Sequence, residues 1–381
     1  MKFSDFGDAF RKQLAQVKEF RTGEWFPALI NRILTEHAKT VNAETFLKKY
    51  PALDRQRIAQ RLVKVAEHHA GLSGAAAASA ISAAELSTSV TAGASIAVAA
   101  LSFAGEISAT TYIQLAMVFD IFLIMGAPFD LNDPEDIMTM FWYAFGVNKY
   151  ESIANLGLKS GPRTAEYLGR KALRNGIREA MQKVAARLGG QELAKTITEK
   201  ALLKLIVPGI NLPIAYTVNK YFTRHLGKIA IRQSKKRAAA LTPLRQLERE
   251  SRIHQLLTLP VIYHVGIKQE SEDQAADVIE MQDIVTRHLR VTTEEEEYLD
   301  DAINLNCEAF LESIQEHKSP STDAPLYEIA AVTHLLTGCS DSSMVRFRAV
   351  ADCLSVSVNE AGLTELREHL EIRPVKKKPK K

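Results

Sequence analysis

Cysteine is nearly absent: Cys307, Cys339 and Cys353 are the only three in 381 residues. An odd number without short metal-ligand spacing excludes a disulfide framework and a zinc knuckle, and it fits a reducing compartment. The familiar catalytic motifs are missing too. No G-x-x-x-x-G-K-[ST] phosphate cradle, G-x-S-x-G nucleophile elbow or H-E-x-x-H zinc helix occurs, which disfavours those enzyme classes. The N-terminal MKFSDFGDAFRKQL lacks the basic stretch and apolar run of a secretory signal, so it reads as cytosolic. Alternating apolar and polar runs are also lacking, and the periodicity predicts an all-α protein. What is present is ordinary globular material, 46% hydrophobic and 24% charged, over a length that suits two domains.

Charge is partitioned. Residues 70–148 contain no Lys or Arg and seven acids, whereas residues 149–240 carry 19 basic and 5 acidic side chains. Residues 241–370 then hold 24 acids against 10 bases, and the last eleven residues, EIRPVKKKPKK, are basic again. A near-neutral total therefore conceals surfaces suited to different partners.

The pattern predicts a helix over AETFLKKY, stopped by Pro51, and a second over ALDRQRIAQRLVKVAEHH with Ile58, Leu62 and Val65 at helical spacing. His68 and His69 read as the end of that helix, where they would complement its dipole. Adjacent helical positions point about 100° apart, so the two do not share a metal ion. Residues 70–105 follow, built from Ala, Ser, Gly and Thr with one charge, Glu85. Then comes ISATTYIQLAMVFDIFLIMGAPF, interrupted only by Asp120. Its length allows a membrane span. Each Leu, Ile, Phe or Val contributes only about −0.3 to −0.6 kcal/mol to insertion, while a mid-span Asp costs about +2.5 to +3.5 kcal/mol, so Asp120 cancels most of the gain. Both a buried helical hairpin and an inserted one stay open. In the following FDLNDPEDIMTMFWYAF, Asp133 suits an N-cap and Pro134 the first helical position.

Two cationic amphipathic helices follow. Over 163–188, Arg174 and Arg178 flank an apolar face of Leu173, Ile177, Met181, Val184 and Leu188. Beyond Pro213, Lys220, Arg224, Lys228 and Arg232 recur every fourth residue and lead into Lys235, Lys236 and Arg237, with Ile214, Val218, Tyr221, Phe222, Leu226 and Ile229 expected on the apolar side. Such helices suit anionic membrane surfaces. No aromatic platform or helix-turn-helix accompanies them, so nucleic acid is not an expected partner.

From roughly Ala43 to Arg237 the chain resembles the EcsC family of bacterial proteins. AEHHAGLSGAAAA, TTYIQLAMVFDIFLIMGAPFDLNDPED and VPGINLPIAYTVNKYFTRHLGKIA, in this order and spacing, carry the likeness. The resemblance implies a bacterial source and proximity to a membrane, with no defined reaction. The acidic region contains a weak duplication offset by 65 residues: Leu289, Val291 and a Thr cap followed by acids correspond to Leu354, Val356, Ser357 and Glu360. Two such capped helix pairs look like the TerB-like helical domain. Gly266-Ile267-Lys268 and Gly338-Cys339-Ser340 stand where that family has an Asp-Gly, which leaves Asp273, Asp277, Glu280 and Asp341 as weak metal candidates and no metal site or cofactor as the expectation.

These readings divide the chain into an N-terminal helical extension (1–42), an EcsC-like helical domain with an apolar small-residue hairpin (43–240), a smaller acidic TerB-like domain (241–370) and a basic disordered tail (371–381). The expected function is peripheral docking on anionic inner-leaflet lipid through Arg174, Arg178, Lys220, Arg224, Lys228, Arg232, Lys235, Lys236 and Arg237, with a protein partner on the acidic domain. The alternative is a soluble enzyme or metal-responsive module that uses the carboxylates of Glu106 and Asp120, because a carboxylate among apolar residues has a raised pKa.

Overall fold

The structure, a computed structural model, describes residues 34–87, 110, 112–144, 211–267 and 272–372. The helix expected over 163–188 with Arg174 and Arg178, Glu106, most of the small-residue stretch and the KKKPKK tail lie outside these residues. Helices and turns account for the described chain, with no strand among the described residues, and the class is all-α. The described residues fall into two compact units, one ending at Ile231 and the other starting at Arg232.

In the first unit, α1 (Ala43–Lys49) begins where the Asn42 side chain accepts the Thr45 amide at 2.8 Å, satisfying one of the unpaired donors of a helix start. Asp54 does the same for α2 (Arg55–Ser87), accepting the Arg57 amide at 2.7 Å. The expected stop at His69 does not occur: α2 runs unbroken for 33 residues. The segment beyond His69 contains no proline, and alanine is the best helix former, so its glycines weaken the helix without ending it. His68 and His69 are consequently mid-helix residues, away from any terminal dipole.

Residues 112–124 form α3, where Leu115, Val118, Ile121, Phe122 and Ile124 are fully buried. Gly126 ends it in the left-handed region at φ 77°, and the Ala127 amide donates to the Phe122 carbonyl at 2.9 Å. That is a Schellman closure, for which glycine carries no steric penalty. Phe122 then packs between Phe129 (centroids 4.5 Å) and Tyr143 (5.4 Å), which ties α3 to the acidic loop and to α4 (Pro134–Ala144). Asp133 caps α4 as its sequence position suggests, receiving the Glu135 amide on Oδ1 at 2.9 Å.

The 37-residue α5 (Asn211–Leu247) contributes its first part to this unit. It runs antiparallel to α2: Tyr216 lies against Gly71, Arg224 meets Glu67, and Gly227 meets Val63. A Cβ at Gly227 would overlap both methyls of Val63, so the helices approach here only because one of them has no side chain.

The remainder of α5 belongs to the second unit, with α6 (Arg252–Leu256), α7 (Thr258–Ile262), a π-helical turn (Tyr263–Ile267), α8 (Glu272–Leu289), α9 (Thr293–Asn304), α10 (Cys307–His317), α11 (Pro320–Leu336), α12 (Asp341–Cys353) and α13 (Glu360–His369). One apolar cluster runs through it, including Val265, Val285, Leu289, Phe310, Ala330, Val350 and Leu354. α8 and α12 each close on a non-glycine left-handed residue, Arg290 (φ 49°) and Ser355 (φ 57°), which stand 65 positions apart, and Cys339 (φ 61°) and Glu371 (φ 57°) follow α11 and α13 in the same conformation. The two stretches of the sequence duplication differ at the next helix. Thr292 caps α9 in a complete capping box with Glu295, whereas Asn359, not Ser357, caps α13 through the Gly362 amide at 2.9 Å. Val356 and Val358 both pack against the core, and this alternation holds the chain extended for two more residues.

Gly227→Ala tests the helix contact in the first unit. Alanine favours the helix by about 1 kcal/mol, but overpacking against Val63 costs about 1–3 kcal/mol, so net destabilisation is expected in urea denaturation. Adding Val63→Ala should recover much of the loss, because the new methyl then occupies the space vacated.

Candidate functional site

The cationic stripe on α5 divides into two parts with different fates. At its far end, Lys235 is buried (3% exposed) and its Nζ lies 2.8 Å from Glu371. Lys236 meets Asp277 at 2.6 Å, and Arg237 is buried. Lys235 and Lys236 are therefore taken up by carboxylates within the second unit, which offsets the cost of burying their charge. The outward-facing portion is Lys220 to Lys228, in the first unit, and Arg232, one turn further along α5, is the residue at which the second unit begins.

Here the carboxylate of Glu67, itself buried, accepts two bonds from the Arg224 guanidinium, 2.6 Å from Nε and 2.9 Å from Nη2. This bidentate bond holds Glu67 below the usual carboxylate range against the opposing effect of burial. Lys220 lies half-buried with its Nζ 5.5 Å from the Tyr216 ring centroid, an aromatic contact for a cation. Lys228 and Arg232 are exposed.

Tyr221 and Phe222 were expected on the apolar side of α5, yet they are 72% and 42% exposed. The helical wheel accounts for it: Tyr221, His225, Lys228 and Arg232 are spaced i, i+4, i+7 and i+11, one outward column, while Thr223, Leu226, Gly227 and Ala230 form the buried one. The outward face of α2 adds Arg61, Lys64, Val65, His68, His69 and Leu72, of which Leu72 is 48% exposed. Residues 211–247 contain no Asp or Glu at all. The two helices thus present exposed aromatic and aliphatic side chains within a cationic field whose nearest carboxylate, Glu67, is already spent on Arg224.

Asp120 is buried in α3, where desolvation raises its pKa and a 2.8 Å contact to His37 Nε2 opposes the rise. The Phe119 and Tyr112 rings stand edge-on to that imidazole, with centroids at 5.8 and 6.2 Å. Asp120 also raises the Tyr112 pKa, although burial is the larger cause. The partner lies 83 residues away, beyond the reach of any local pattern.

The weak metal candidates lie on α8 and α12, the side chain of Asp273 being outside the described ones. Asp277 is held by Lys236, Asp273 lies in the first turn of α8, Asp341 begins α12, and Glu280 is buried in α8. Among the described residues no group of three or more His, Cys, Asp or Glu could hold a metal ion, and no helix is long and apolar enough to cross a membrane. No family model, curated protein or solved structure matches the chain.

Glu280 has a consequence of its own. Burial and the neighbouring Asp283 push its pKa up to about 8, with Arg287 opposing. A carboxyl with a raised folded-state pKa contributes stability that is fully present below about pH 4.5 and is lost as pH climbs through its folded value. The second unit should therefore weaken between about pH 5 and pH 8. Glu280→Gln, which keeps the shape and cannot ionise, should flatten that slope in denaturation series; an unchanged slope would show that Glu280 does not cause it.

Proposed function

We propose that the first unit docks peripherally on anionic lipid, as an EcsC-like bacterial protein at the cytoplasmic face of the inner membrane, and that the acidic second unit recruits a protein partner. The observation that carries the docking is the exposure of Tyr221 and Phe222 on a helix segment rich in cations and free of carboxylates. Cations attract the chain to the negative surface, each contributing about 1 kcal/mol. Aromatic rings then settle at the headgroup level, where their apolar body and polar edge both find partners. Lys220, Arg224 and Lys228 of the first unit supply the attraction, joined by exposed Arg232 one turn further along α5; Lys235 and Arg237 are buried in the second unit and Lys236 is paired there instead. For the partner, Glu308, Glu312 and Glu316 recur at four-residue spacing on the exposed side of α10, and exposed Glu294, Glu297, Asp300 and Asp301 lie on α9. A basic segment complements such a surface.

A second reading is favoured by the His37–Asp120 contact: a buried carboxyl with a raised pKa beside an imidazole is the arrangement that acid–base chemistry uses. Asp120→Asn separates the two readings, since it removes the carboxyl without touching the outward faces of α2 and α5. Vesicle binding should survive it.

Docking itself is tested by sedimentation with phosphatidylglycerol-containing vesicles. Lys228→Glu with Arg232→Glu should weaken binding at least tenfold, because two attractions of about 1 kcal/mol each become repulsions. Added salt should weaken the wild type and leave the variant little changed. Equal binding by both proteins, or binding to neutral vesicles alone, would overturn the electrostatic mechanism.

A further inference from the structure

The outward faces of α2 and α5 contain three histidines that the docking mechanism leaves unused. His68 and His69 are exposed on α2, with ring centroids 6.1 Å apart, and His225 is exposed on α5 in the column of Tyr221, Lys228 and Arg232. We infer that this histidine set makes the hold on an anionic bilayer proton-dependent, tightening as the pH falls; the inference rests on the docking proposal above.

The argument is one of charge and placement. Histidine is the side chain whose charge changes between about pH 5 and 8. A proton added at an exposed position remains a net charge unless a carboxylate lies within reach to offset it. On α2, Arg61 and Lys64 precede the pair, and Glu67 is committed to Arg224 through both oxygens. On α5, Lys220, Arg224 and Lys228 face the same side, and the Tyr216 hydroxyl stands 3.4 Å from His68 Nδ1. The third helix of this packing, α3, has only Tyr112 and Asp120 as titratable groups, and Asp120 is bonded to His37. Among the described residues of these three helices no carboxylate is therefore placed to neutralise a proton on His68, His69 or His225. Each protonation adds one full positive charge to the face.

The occupant is a bilayer with anionic headgroups, for two reasons. The face combines cations with exposed Tyr221, Phe222, Val65 and Leu72, and a soluble polyanion gives such side chains no apolar layer to enter. The negative surface also draws protons as well as lysines, so docking and protonation reinforce each other. By linkage, docking must take up protons in the range where acid tightens it.

The test uses the full chain and vesicles of phosphatidylglycerol in phosphatidylcholine, with affinity measured at pH 5.5 and pH 7.5. The wild type should bind more tightly at the lower pH, by up to about fivefold for each histidine that gains a proton, the factor equivalent to about 1 kcal/mol per cation. His68→Gln, His69→Gln and His225→Gln combined should bind at pH 7.5 like the wild type and lose the gain at pH 5.5. The triple arginine variant should bind tightly at both values. Calorimetry in two buffers of different ionisation heat should register proton uptake on docking by the wild type and not by the glutamine variant. Docking with no pH dependence, or a pH dependence that survives in the glutamine variant, overturns the inference and leaves the docking proposal standing. Absence of binding at both pH values overturns both.

Discussion

The packing of α2 against α5 is the constraint on which the first unit turns. Gly227 lets the helices approach until Val63 fills its place, and the approach buries Glu67 beside Arg224. The Glu67 carboxylate is buried while the Arg224 side chain stays half exposed, so the guanidinium both pairs the acid and keeps a solvated edge. The same packing decides what is left outside. Once Leu226, Gly227 and Ala230 turn inward, Tyr221, His225, Lys228 and Arg232 must turn outward, and aromatic exposure on a cationic face follows from the geometry of the contact.

Charge works differently in the second unit. Its carboxylates outnumber its bases, and several are taken up by cations of the same unit: Glu371 by buried Lys235, Asp277 by largely buried Lys236, and Glu295 by the partly exposed Arg252 at 2.5 Å. The last of these also closes the capping box of α9, and the two roles together pull the Glu295 pKa down to about 2. A sequence-level tally of bases and acids counts all of these as surface. The fold divides them into groups that bind each other and groups that face solvent.

Local signals were read well. Asp133 and Pro134 start α4 where their chemistry suits a helix start, and Pro51 follows α1. These features depend on a few consecutive residues. What could not be read depends on partners far along the chain. His37 finds Asp120, Arg224 finds Glu67 and Lys235 finds Glu371 across separations of 83 to 157 residues. The length of α2 is hidden for another reason: a change of composition at residue 70 resembles a boundary, but alanine continues a helix as readily as any residue. Tyr221 was placed on the wrong face because aromatic character outweighed its position on the wheel.

The close approach at Gly266 has an implication for how the chain is made. A Cβ there would lie 2.6 Å from Val278 and 2.7 Å from Thr333, so the π-helical turn is wedged between one helix of its own half of the duplication and one from the other half. The apolar cluster likewise draws on both halves, and neither has a core of its own. On a ribosome adding roughly 5–20 residues per second, the earlier half emerges and waits several seconds for α11 to be synthesised. During that interval Val261, Ile262, Val265 and Val278, all fully buried at the end, pack only against their own half of the cluster. The core of the second unit is thus complete only once the later half, α11 included, has been synthesised.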